Sequence, residues 1–96
     1  MNSARQTLSP DQLQDLLRSL PSWQLEDGKL ARIWTFPGFV EAMKFVGRVA
    51  DLAERQGHHP DIDIRYNRVK LGLISHDAGG ITSRDADMAR LLDSIQ

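Results

Sequence analysis

Cysteine is absent from the 96 residues, which removes disulfide frameworks, thiol nucleophiles and cysteine-based zinc or iron–sulfur sites in one step. An excess of charge of either sign is missing as well. Twelve basic and thirteen acidic side chains leave a net charge of -1, and without an Arg/Lys run or an acidic tail nothing supports an electrostatic nucleic-acid surface. No apolar run approaches the roughly twenty residues that span a bilayer, and the opening MNSARQTLSP lacks the apolar core of a signal peptide. The expectation is a cytoplasmic protein with no membrane contact. Repeats, low-complexity segments and linkers are lacking too, so residues 1–96 read as one domain. What is present, 41% hydrophobic and 26% charged residues, is ordinary globular composition, enough for one small core and an open cleft but not for a cavity enclosing a large cofactor. Chemistry has to come from histidines, carboxylates, hydroxyls and amides.

Local signals divide the chain into seven elements. Ser9, Pro10 and Gln12 form the start signature of a helix, whose stripe of Leu13, Leu16, Leu17 and Leu20 runs until Pro21. Asp27-Gly28 supplies the positive φ angles of a tight turn, so Trp23–Glu26 and Lys29–Phe36 read as a hairpin with Leu25 opposite Leu30. After Pro37-Gly38, the apolar stripe of Phe39, Ala42, Met43, Val46, Val49, Ala50 and Ala53, widened by Phe45 and Leu52, predicts a long helix ending near Gln56. Gly57 and Pro60 close it. About half its circumference is apolar, more than one sheet needs, so the same helix is expected to face a partner subunit. Asp61–Tyr66 and Val69–Ile74 alternate as strands around Asn67, the expected turn residue. Ala78-Gly79-Gly80 is a loop, and Thr82-Ser83-Arg84-Asp85 resembles a capping box opening a helix through Met88, Leu91, Leu92 and Ile95. The order αββαββα predicts an α+β fold, helices packed on an antiparallel sheet.

All three histidines, His58, His59 and His76, fall in the second half. With Asn67 at the turn centre, His58 lies nine residues before it and His76 nine after, so antiparallel pairing carries both to one open end of the hairpin. Glu54 and Asp77 converge there. Imidazole titrates near neutral pH, so such a cluster can both give and take protons. The same residues also fit a polar helix-to-strand connection. A metal site with Asp61 or Asp77 is disfavoured, because adjacent His58 and His59 cannot easily aim at one ion and no HExxH pattern exists. Ser75 next to His76 lacks a nucleophile elbow, and Gly79-Gly80 before Thr82 is too short for a phosphate loop.

Glu54-x-x-x-His58-His59-Pro60, followed at fixed spacings by Tyr66, His76 and Asp85, resembles the signature of pterin-4a-carbinolamine dehydratases, and the element order agrees along nearly the whole chain. The resemblance implies a four-stranded antiparallel sheet with three helices on one face. It also implies dehydration of 4a-hydroxytetrahydropterin to quinonoid dihydropterin, with no metal or redox cofactor, recycling the pterin of aromatic amino acid hydroxylases. By the same resemblance His58 and His76 are general acids, while His59 holds the pterin and serves as a possible base. Pro60 shapes the cleft, and Ser75, Asp77 and Ala78 lie in the segment offering backbone groups to the ring. Trp23, Arg84, Asp85 and Glu54 complete the expected substrate-binding set. For several of these the residues themselves give a second reading: sheet packing for Trp23, helix capping for Asp85, a solvated last turn for Glu54, strand packing for Tyr66. Members assemble as homodimers or homotetramers, and some act instead as noncatalytic dimerisation cofactors or assembly factors.

Overall fold

The structure, a computed structural model, describes residues 6–95. The ends of the domain expected over 1–96 and the first half of the MNSARQTLSP opening lie outside the described residues. The chain runs α1 (Pro10–Ser19), β1 (Gln24–Glu26), β2 (Lys29–Thr35), α2 (Phe39–Gln56), β3 (Asp61–Arg65), β4 (Arg68–Leu73) and α3 (Ser83–Ser94). The four strands form one antiparallel sheet in the order β1-β2-β4-β3.

Helix starts follow their caps. The Ser9 hydroxyl accepts from Gln12 N at 3.2 Å while the Gln12 side chain accepts from Ser9 N at 2.8 Å, so donors that the first helical turn leaves unpaired are satisfied reciprocally. Asp27 and Gly28 take φ 52° and 79°, and Leu25 pairs with Leu30 as the Asp-Gly turn requires. Strand alternation then sends Leu30, Trp34, Val69, Leu71 and Leu73 to one face, where Leu16, Ala42, Phe45, Val49, Leu52, Met88 and Leu92 from the three helices meet them in a single core. Phe45 is the aromatic hub, 4.9 Å from Trp34 and 5.2 Å from Phe36 between ring centroids. The opposite sheet face carries charge pairs, including Lys29 with Asp61 at 2.5 Å and Lys70 with Glu26.

Two expectations need correction. The second hairpin closes with Arg65 opposite Arg68, so the turn is the pair Tyr66-Asn67 and not Asn67 alone. Tyr66 takes φ 54° and is exposed, so it does not pack as a strand residue. Asn67 fixes the position of the turn: its Nδ2 donates to Phe36 O at 2.8 Å, and its own carbonyl accepts from Phe36 N at 2.9 Å. The register therefore moves by one residue and, continued outward, sets His58 across from Ser75 instead of His76. On α2 the buried residues are Ala42, Phe45, Val49, Leu52 and Ala53, whereas Phe39, Met43 and Ala50 of the expected stripe are exposed. The apolar arc is broad enough that packing chose its Phe45 side.

Candidate active site

Three chain ends meet where the histidines lie: the C-terminus of α2, the loop after β4 and the N-terminus of α3. Gly57 ends α2 with φ 63°, a left-handed conformation open to glycine at little cost. The N–H groups of Gly57 and His58 both bond to Ala53 O, which ties the backbone of His58 to the last helical turn. Beyond β4, Ser75 N donates to Gly80 O at 3.0 Å, and Gly79, at φ 76°, donates back to Ser75 O at 3.0 Å. This tight loop turns Ser75 inward and leaves His76 and Asp77 exposed. Ala78, half-buried, donates its N–H to Ser75 O at 3.1 Å.

Asp85 lies where these segments join. As the third residue of the α3 capping box, its Oδ2 accepts from Thr82 N at 2.9 Å. The same oxygen accepts from the Ser75 hydroxyl at 2.8 Å, and Oδ1 lies 2.6 Å from His58 Nε2. Asp85 is 0% exposed, and a buried carboxylate is tolerated only when paired and hydrogen-bonded in this way. The His58 side chain itself is 13% exposed and lines a cavity of about 90 Å³ with Gln56, Arg84, Asp87 and Met88. Larger grooves of about 180 and 250 Å³ lie on the open sheet face among Lys29, Asp61, Asp63, Arg68 and Lys70. They contain no histidine, and acid–base capacity rather than volume marks the site.

The other expected residues fall in three groups. His59 Nε2 is 2.5 Å from Glu54 Oε2, an exposed pair on the outer side of the α2 terminus, and Pro60 next to it is half-buried. Arg84 reaches across the loop to Asp77. That hydrogen bond, helped by the guanidinium charge, holds the Asp77 carboxyl below the usual carboxylate range. Trp23 stands apart: it is buried edge-on to Trp34, and its Nε1 donates to Asp93 at 2.8 Å. Asp93 is eight residues beyond Asp85 on α3, about 12 Å along the axis, and Arg32 shares it. Asp85, expected to touch substrate, is enclosed by Ser75, Thr82 and His58. Thr82 was absent from the sequence-derived site, although the capping box was its visible signal.

An imidazole paired with a carboxylate beside a small cavity, as His58 is with Asp85, is suited to donating and removing protons. Comparison with known proteins places the chain in a family. The profile of the family described as pterin 4 alpha carbinolamine dehydratase matches residues 6–95. A relative from Acidobacterium capsulatum is 51% identical over 88 residues, covering 92% of this chain and 96% of its own. Another from Thermomicrobium roseum is 54% identical over 80 residues, 83% of this chain and 86% of its own. The names of both assign them pterin-4-alpha-carbinolamine dehydratase activity provisionally. A crystal structure of a transcriptional coactivator/pterin dehydratase from Brucella melitensis superposes with a TM-score of 0.86 at 35% identity, over 93% of this chain and 97% of that one.

Proposed function

The chain belongs to the pterin 4 alpha carbinolamine dehydratase family, and from that premise we propose that it dehydrates 4a-hydroxytetrahydropterin to quinonoid dihydropterin in the cytoplasm. The reaction breaks the C4a–O bond. The departing hydroxyl takes a proton from an acid and leaves as water, while a base removes the proton of the neighbouring ring nitrogen as the new double bond forms. His58 and His76 serve as the acids toward the two faces of the carbinolamine. His59, steadied by Glu54, holds the ring and takes the nitrogen proton. The pterin lies against Pro60 and the loop of Ser75, Asp77 and Ala78, whose backbone meets its amide edge, with Arg84 fixing Asp77. The observation that carries this reading is His58, locked to the buried Asp85 at 2.6 Å beside the loop that presents His76.

Each well-positioned proton transfer contributes roughly 10² to 10⁴ in rate. His58→Ala and His76→Ala should therefore each slow formation of the quinonoid product by about 10²-fold or more, with circular dichroism unchanged. Wild-type rates in both variants would overturn the assignment. In the cell the product would pass to a reductase serving an aromatic amino acid hydroxylase.

A second reading, a noncatalytic binding or assembly module, draws on the exposed apolar strip of α2 at Phe39, Val40 and Met43 and on the coactivator description of the Brucella protein. It expects the double variant His58→Ala/His76→Ala to keep full biological function. The dehydratase reading expects that variant to lose turnover while remaining assembled as a homodimer or homotetramer.

A further inference from the structure

We propose that Ser75 and Thr82 are positioning residues for His58, acting through Asp85, and that they commit His58 to work through Nδ1. The inference rests on the dehydratase reading for its kinetic consequence but not for its geometry. Four groups form one chain of hydrogen bonds: Thr82 Oγ1 to Ser75 Oγ at 2.8 Å, Ser75 Oγ to Asp85 Oδ2 at 2.8 Å, and Asp85 Oδ1 to His58 Nε2 at 2.6 Å. Ser75, Thr82 and Asp85 are at most 1% exposed, so no water competes for these bonds.

The direction of the hydrogens from Thr82 to Asp85 is fixed. Thr82 N–H points at Asp85 Oδ2 at 2.9 Å, and a backbone N–H cannot become an acceptor. Oδ2 must therefore accept. The Ser75 hydroxyl, 2.8 Å from the same oxygen, has one hydrogen and gives it to the carboxylate, so it accepts from Thr82. Thr82 Oγ1 in turn accepts from Arg84 N at 3.2 Å, which agrees with its hydrogen pointing to Ser75. Taking Asp85 as an ionised carboxylate, Oδ1 accepts as Oδ2 does, and Asp85 holds Nε2–H on His58 in the neutral and the protonated ring alike. Nδ1 is the nitrogen left for substrate. When it delivers its proton, the ring is left in the Nε2–H tautomer that Asp85 already stabilises, so turnover needs no tautomer exchange. The Ser75 hydroxyl is consumed in this network, and its backbone N–H and carbonyl are bonded within the loop to Gly80, Ala78 and Gly79.

Long-range ¹H–¹⁵N correlation of the labelled full chain, at a pH where the ring is neutral, reads the tautomer directly. The wild type should show His58 with Nε2–H and bare Nδ1. In Asp85→Asn the amide must turn its oxygen to the Ser75 hydroxyl and Thr82 N–H and its NH₂ to His58, moving the ring proton to Nδ1. An Nδ1–H tautomer in the wild type, or an unchanged one in Asp85→Asn, overturns the proposal. Neither result depends on turnover, so a failed dehydratase assay would sink the functional reading and leave this one standing. In kinetics, Ser75→Ala and Thr82→Val should lower kcat by about tenfold or more at unchanged KM, since small misplacements of a catalytic group are costly. Thr82→Ser, which keeps the hydroxyl, should retain kcat. Wild-type kcat in Ser75→Ala and Thr82→Val, or a loss in Thr82→Ser equal to that in Thr82→Val, marks a packing role and overturns it.

Discussion

Two aspartates eight positions apart, Asp77 and Asp85, illustrate how environment assigns a carboxylate its task. Asp85 is sealed among donors and orients an imidazole. Asp77 is exposed, and its hydrogen bond to Arg84 pulls its titration down, against an opposing desolvation that outweighs the guanidinium charge taken alone but not the two together. Because the folded value lies below the unfolded one, the Asp77–Arg84 contact contributes fully above the usual carboxylate range and is lost as pH falls through the folded value. In Arg84→Gln the carboxyl ¹³C titration of Asp77 should return upward to the ordinary range, and an unmoved midpoint would mean that Arg84 is not the cause. The residues of this cluster are visible in sequence as titratable or polar groups near the histidines, Thr82 through its place in the capping box. Their partners are not, because Asp77 meets Arg84, and Asp85 meets Ser75, only after the loop from Ser75 to Gly80 has closed.

Among elements, the end of α2 matters most to the site, since His58 leaves it directly. A Cβ at Gly57 would meet no heavy atom within 4 Å, so Gly57→Ala tests backbone conformation without steric overlap. At φ 63° the substitution should cost about 1 kcal/mol, which in a domain of this size lowers Tm by roughly 4–8 °C. Thermal unfolding followed by circular dichroism measures it, and an unchanged Tm would contradict a strained position. Element ends were legible in the sequence where the signal is local, as at Ser9 with Gln12, Asp27-Gly28, Gly57 and Thr82 with Asp85. The register of the second hairpin was not. A tyrosine gives no local sign of positive φ, and the turn is set by hydrogen bonds exchanged between Asn67 and Phe36, 31 residues away.

At the scale of the whole molecule, the three helices bury one sheet face and leave a strip of α2 uncovered, with Phe39 50%, Val40 60% and Met43 39% exposed. The breadth of that apolar arc was readable from spacing alone. Which part of it turns inward was not, because the choice depends on Trp34 and Phe36 packing on Phe45. We propose that this strip is where copies of the chain associate as a homodimer or homotetramer, so light scattering after size exclusion should find one in the wild type and a monomer in Phe39→Glu/Met43→Glu. A monomeric wild type would contradict it. Acid–base dehydration at the histidine site is the activity to which these residues, elements and surfaces lead. Stopped-flow absorbance of quinonoid dihydropterin formation from freshly generated 4a-hydroxytetrahydropterin, with and without catalytic protein, tests it most directly. The expected result is acceleration by the wild type that disappears in folded His58→Ala/His76→Ala, and the absence of acceleration by folded wild-type protein would contradict it.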